Sequence, residues 1–377
     1  MARAGLGPAW SCQFANDFDQ MKVDTYRANW GSDDMWHGDV GQLGLKDLPP
    51  GTPDLAWASF PCQDLSLAGD YRGLGRERDG AQTRSGTFWP FWQLMRELVK
   101  ADRGPRTIVL ENVYGALTSH AGQDFAAIGT ALSRSGYRFG AVVINASEFV
   151  PQSRQRVFVI AIRNGEAIPS NLTRNTADAR WSPPALLKAY GGLPADVQKM
   201  WIWWNIPQPA QRNTAFIDII EAEPTGVQWH TRDETKYLLS MMSDVNRAKV
   251  TAAKISGRPM VGGVYRRTRP DANGVKVQRT EVRFDDIAGC LRTPGGGSSR
   301  QSILIVEGNK IRSRLLSPRE AARLMGLPDD YILPHRYNDA YHVCGDGVCV
   351  PVVAHIAKHV IEPIIEANRA KAMVAAE

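Results

Sequence analysis

The sequence predicts an α/β fold: a Rossmann-like, largely parallel sheet carrying a second, smaller and irregular α+β domain. Two observations predict it. Up to about residue 165 short apolar runs alternate with amphipathic stretches, the pattern of strands and helices in a sheet covered on both faces. Beyond Ile162 the alternation stops, and the chain turns rich in Pro, Trp and Asn without a clean period. At 377 residues it also exceeds one ordinary core, so two domains are expected.

Taken in order, SCQFAND (11–17), DLAWASF (54–60), RTIVLEN (106–112), GAVVINA (140–146) and RVFVIAI (156–162) read as strands. Between them GTFWPFWQLMRELVK and GQDFAAIGTALSRSG read as helices with apolar faces. Pro61 ends the second strand, because proline removes a ladder donor and fixes φ. Cys62 therefore leaves the sheet at the edge where ligands of open α/β sheets gather. A lone cysteine beside apolar residues most often only packs. Further on, MWIWWNIPQPAQRN is an aromatic knot, and LSPREAARLMGLPDDY reads as a helix with Ser317 as N-cap and Pro318 at its first position. VPVVAHIAKHVIEPIIEAN reads as a closing amphipathic helix that returns to the sheet. The expected division is residues 1–164, a smaller domain at 165–290, and a return to the first domain at 291–377.

Composition bounds the function. Hydrophobic content of 43% and charged content of 22% are those of a globular protein. No apolar run approaches the roughly 18–20 residues of a membrane span, and MARAGLGPAW lacks the core of a signal peptide, so the cytoplasm is the expected compartment. The five cysteines (Cys12, Cys62, Cys290, Cys344 and Cys349) form no CxxC pair, so neither a disulfide framework nor a metal site is expected. Residues 251–300 hold ten Lys or Arg against four Asp or Glu, a surplus equal to the whole net charge of +6. Clustered cations interleaved with Gly, Tyr and Thr suit a polyanion.

Four elements stand beside Cys62. Glu111 closes the strand TIVL at the same sheet edge as the thiol, and Arg154 and Arg156 of QSRQR directly precede another apolar strand. RTPGGGSSRQ is a donor-rich turn with Arg292 and Arg300 at its ends, and GDGV (345–348) opens the last helix. The order PCQ, ENV, QxRxR, RTPGGG and G-x-x-V resembles the DNA cytosine-5 methyltransferases over nearly the whole chain. ANDFDQMKVDTYRANWG and HGDV are similar to that family's adenosyl-binding segments.

The resemblance implies an S-adenosylmethionine-dependent methyltransferase sheet, with 165–290 as target-recognition domain and double-stranded DNA as substrate. Carbon 5 of cytosine is a poor nucleophile, and a thiolate adding at carbon 6 makes it a good one. Cys62 is the implied thiolate, with a pKa lowered by nearby arginines. Glu111 is expected to hold the N3 and N4 edge with a raised pKa. Arg154 and Arg156 are expected to support the cytosine O2, the thiolate and a nearby phosphate. For the methyl donor the resemblance implies Asp17 on ribose hydroxyls, Phe18 stacked on adenine, Asp39 and Val40 at the adenine edge, and Pro61 and Val348 beside them. The base must be flipped out of the duplex. Residues 63–84 resemble the closing catalytic loop, with Gln63, Ser66 and Arg84 on DNA. Arg266, Arg267 and Arg269 are expected to grip the backbone, and Arg292 and Arg300 also to meet DNA.

The chain departs from the family at Asp346 and Gly347, where an Asn and a small polar residue are usual. The family's first strand and Phe-x-Gly-x-Gly loop belong before Met1, so the reading frame is expected to start upstream, or the product to be impaired. A monomer of restriction-modification or phage type is expected, with a possible cognate restriction endonuclease and no membrane. The alternatives are a catalytically impaired DNA-binding relic and an RNA cytosine-5 methyltransferase, whose Cys-Phe-Thr signature is absent from the recognition region.

Overall fold

The computed structural model describes residues 1–60, 88–270, 273–293 and 300–376. Strands β1 (Ala15–Asp17) and β2 (Met35–His37) pair in parallel as a separate two-stranded sheet. Strands β3 (Leu55–Ser59), β4 (Thr107–Val113), β5 (Tyr137–Asn145) and β6 (Gln155–Arg163) form a four-stranded sheet in the order β3-β4-β6-β5. Only β3 and β4 run parallel in it; β6 is antiparallel to both neighbours. The largely parallel sheet is thus corrected to a mixed one. Apolar runs report burial on two faces and say nothing of direction. The connection 146–154 between β5 and β6 is shorter than the dozen or so residues that a parallel crossover needs.

Successive residues of these strands enter two cores, as a period of two requires. Ile108 and Leu110 join Phe88, Trp92 and Leu98 of helix Phe88–Lys100 and Phe125 of helix Gln123–Arg134 on one face. Val109, Phe158, Ile160 and Ile162 face the other core, with Val352, Val353, Ile356, Val360 and Ile364 from the C-terminal helices. The closing helix does return to the sheet. The helical run Tyr337–Val374 is long and apolar enough to cross a membrane, with mean hydropathy 1.6, unlike the expectation for this chain. It is nevertheless 61% buried over that window, as the core helix of this sheet.

Strands of residues 165–290 belong to two different sheets. Short strands β7 (Thr173–Arg174) and β8 (Trp203–Trp204) lie against the first sheet: the amide of Val143 donates to the Trp181 carbonyl (2.8 Å), and that of Ile202 to Phe139 (2.7 Å). Trp181 and, within the aromatic knot, Trp204 are each 2% exposed in its core. The smaller unit is a four-stranded antiparallel sheet, order β10-β9-β11-β12, that runs through residue 290. Its strands are β9 (Met260–Pro270), β10 (Lys276–Arg283), β11 (Ser302–Glu307) and β12 (Lys310–Leu315). Irregular segments carry no period from which to read such a boundary; their large side chains simply go where they can be buried.

Helix Pro318–Leu324 starts as the sequence predicts, with Ser317 and Glu320 in a reciprocal capping box. Glu320 also forms a bidentate pair with Arg314 (2.6 and 2.7 Å), both side chains fully buried, while the Arg314 guanidinium lies 4.8 Å from the Trp229 ring centroid. Arg314→Met removes one partner and leaves a buried carboxylate uncompensated. It should lower the unfolding free energy by about 3–5 kcal/mol, measured by urea denaturation. A loss within error would show that water reaches Glu320.

Candidate active site

Register brings the site together. Ser59 at the end of β3 pairs with Glu111 of β4, and Val113 of β4 pairs with Arg156 at the start of β6. Because β6 is reversed, its first residues meet the last residues of β3 and β4 at one sheet edge. Glu111 is 5% exposed, and Arg156 Nε lies 3.1 Å from its Oε1. Burial pushes the Glu111 carboxyl above its ordinary pKa, outweighing the charges of Arg156 and Arg154 and the Ser59 hydroxyl. Burial penalises the charged form, so this acid is disposed to keep its proton.

Asn112 donates through Nδ2 to the Phe60 carbonyl (3.1 Å), fixing the chain where it leaves β3. Two residues further on is Cys62, which with Pro61, Gln63, Ser66 and Arg84 lies outside the described residues. Asn112 was not singled out from the sequence, although a buried amide at the end of an apolar strand is a usable signal, since such groups find partners.

The arginines differ. Arg156 sits on Glu111. Arg154 is 2% exposed and donates to the carbonyls of Leu291 (3.1 Å), Gly345 (2.9 Å) and Gly347 (2.7 Å), with Cys290 Sγ at 3.5 Å. Burial, then the neighbouring Arg156 charge, lowers its pKa. Arg154 is thereby a clamp between the approach to the Gly-rich turn and residues 345–347. The clamp needs close packing: a Cβ at Gly345 would come within 2.8 Å of the Arg292 carbonyl carbon and oxygen. Gln152, buried and likewise not singled out from the sequence, donates to the Leu324 carbonyl (2.7 Å) and accepts from the Leu291 amide (3.1 Å).

Asp17 and Asp39 stand just beyond, or at, the carboxyl ends of the adjacent parallel strands β1 and β2. Asp17 accepts from the Asp19 amide (2.9 Å), and burial raises its pKa against that bond and the charge of Lys22. Phe18 is 64% exposed, a large aromatic ring left open beside that carboxylate. Asp39 accepts from the Gly41 amide (2.9 Å) around Val40. A carboxylate with an open aromatic face at a strand end suits a nucleoside. Val348 is buried. Asp346 pairs with Lys22 (2.8 Å) and His342 (3.0 Å) and accepts from Thr293. Burial works to raise its pKa, but Lys22, Thr293 and His342 together hold it low. The departure at 346 therefore comes with its own partners, the Lys22 ammonium among them.

Among the DNA-facing expectations, Arg300 lies with its guanidinium 5.8 Å from the Tyr337 ring centroid, and Arg292 is exposed. Arg266, Arg267 and Arg269 fall on the β9–β10 ribbon.

A buried carboxyl whose pKa is raised by burial thus lies beside an arginine at the edge of a mixed α/β sheet. The model of the C-5 cytosine-specific DNA methylases matches residues 1–362, and the chain belongs to that family. It is 26% identical over 350 residues to the type II methyltransferase M.NlaX of Neisseria lactamica, covering 92% of this chain and 87% of that one. It is 24% identical to M.HhaI of Haemophilus parahaemolyticus, covering 93% and 87%. Among solved structures, a Spodoptera frugiperda DNMT2 superposes with TM-score 0.56 at 16% identity, covering 95% and 94%. An E. coli prophage protein described as a DNA modification methyltransferase gives 0.52 at 17%, covering 97% and 95%. Both structural likenesses show the fold.

Proposed function

We propose that the chain methylates carbon 5 of a cytosine flipped out of duplex DNA, through a covalent bond from Cys62. The observation that carries this is Glu111: a carboxyl buried beside Arg156, its pKa raised by burial, at the strand end beside the one Asn112 pins two residues before Cys62. In the reaction the Cys62 thiolate bonds to carbon 6, and the ring electrons move toward carbon 5. The Glu111 carboxyl shares its proton with N3, offsetting the negative charge that gathers there, and Arg156 holds that carboxyl in place. After carbon 5 is methylated its proton leaves to water, the sulfur–carbon 6 bond breaks with its electron pair on sulfur to free the Cys62 thiolate, and the shared proton returns from N3 to Glu111. Asp17, Phe18, Asp39, Val40, Pro61 and Val348 would hold S-adenosylmethionine, which supplies the electrophilic methyl group. Arg154 acts on the protein side, holding residues 345–347.

We read the chain as a cytoplasmic monomer and the modification half of a type II system, with a cognate endonuclease as its partner. Incubation with tritiated S-adenosylmethionine and either duplex DNA or transfer RNA tests the reading, and bisulfite sequencing of the DNA locates the product. Label should enter the duplex as 5-methylcytosine in one sequence context. Label in transfer RNA alone would make this an RNA enzyme, and no label in either would make it a binding relic.

A further inference from the structure

The ribbon formed by β9 and β10 extends beyond its sheet. Strand β11 pairs with β9 only from Met260 to Val264; past that point Tyr265–Pro270 pairs solely with Lys276–Glu281. At about 3.3 Å per residue that is a two-stranded arm of roughly 20 Å. An arm of this width enters the major groove of B-DNA, about 12 Å across.

Alternation sorts its side chains. Tyr265, Arg267 and Arg269 share a face with Val277, Arg279 and Glu281, while Arg266, Thr268, Lys276, Gln278 and Thr280 lie on the other. At its base the second face is covered: Thr280 and Val282 are fully buried, and the Val282 amide donates to Asn246 Oδ1 (3.0 Å). On the first face Arg267 and Arg269 are about half exposed, while Tyr265 at its base is half-buried. The Tyr265 hydroxyl lies so near Gly289 that a Cβ there would come within 2.6 Å, and Gly289 stands two residues before the Leu291 that Arg154 holds.

On that face one carboxylate braces two arginines. Glu281 Oε1 lies 2.8 Å from Arg269 Nε and Oε2 3.3 Å from Arg267 Nε, and the Arg267 guanidinium also lies 5.6 Å from the Tyr265 ring centroid. Both ion pairs use Nε and so leave the terminal amino groups of each guanidinium to a further partner. The arginines are about half exposed (52% and 49%), where ion pairs add little to stability. For gripping phosphate the carboxylate is a handicap, since it cancels charge and repels the anion. For reading a base it is an asset, because a fork held in place loses less freedom on binding.

We propose that Arg267 and Arg269, oriented by Glu281, read guanine O6 and N7 in the major groove, so that they set the sequence context of methylation. Arg266 and Lys276, which make no ion pair among the described residues, are left for phosphates. The inference rests on duplex DNA being the substrate.

The test is bisulfite sequencing of a duplex library with randomised flanks, together with the salt dependence of binding, for the whole chain and for Arg267→Ala, Arg269→Ala and Glu281→Gln. Each arginine variant should lose preference for guanine at one position by roughly 5- to 150-fold while the salt slope stays unchanged. Glu281→Gln keeps both arginines and should relax the same positions. The inference fails if the arginine variants weaken all sequences alike, with the slope falling by about 0.9 per contact, and Glu281→Gln leaves the motif intact. An unchanged motif in active variants overturns this inference alone. A wild type that methylates no duplex DNA overturns the functional reading and this inference with it.

Discussion

Cys62→Ala should bring methyl transfer down to background while duplex binding persists. The thiolate serves one purpose, to make carbon 5 nucleophilic, and an alanine leaves every other contact with DNA in place. Filter binding and tritium transfer on the same preparation separate the two. Duplexes carrying 5-fluorocytosine should trap the wild type as a covalent complex resistant to denaturant, because the fluorine occupies the position from which a proton must leave. Trapping that survives in Cys62→Ala would mean that another residue supplies the bond to carbon 6.

Glu111→Gln should slow turnover by roughly 10² or more, as the loss of an acid–base group does, with DNA affinity changing far less. The amide keeps the shape and can still accept from Arg156, and its N–H can donate a hydrogen bond, but it has no acidic proton to transfer toward N3. The sign of the pH effect follows from burial. Because the folded protein raises the Glu111 pKa, its carboxyl holds the proton to higher pH than a free side chain would. Turnover that needs this proton falls as pH climbs through the raised value, and the glutamine variant should lack that alkaline limb. The readout is kcat against pH for both proteins. A variant with wild-type turnover and an unchanged profile would remove Glu111 from the chemistry.

Much of this was legible because it is local. Ser317, Pro318 and Glu320 announce a helix start within four residues, and the structure caps that helix as they require. The apolar runs ending in Phe60 and Leu110 fixed β3 and β4, hence which sheet edge bears Glu111. What stayed hidden is non-local. That Arg154 grips Gly345 and Gly347 depends on how the last quarter of the chain returns, which no spacing around Arg154 encodes. The partnership of Glu281 with Arg267 and Arg269 depends on hairpin register, and a slip of one residue would turn Glu281 to the opposite face. Trp204 was visible as part of an aromatic knot, but the surface that buries it belongs to strands formed earlier in the chain.

The reach of the Arg154 clamp has a consequence for how the protein is made. Its carbonyl acceptors at Gly345 and Gly347 lie 191 and 193 residues downstream. At about 5–20 residues per second of synthesis, the guanidinium waits roughly 10–40 s on the ribosome before those partners exist. Strands β5 and β6, neighbours in sequence, can pair during that interval, but the pocket beneath them cannot close over an unsatisfied charge. Every nascent chain thus passes through a stage with all four strands of that sheet made and the Arg154 clamp still open, exposed to chaperones and proteases. A ribosome that stalls before residue 347 therefore releases a chain in which the Arg154 clamp cannot close.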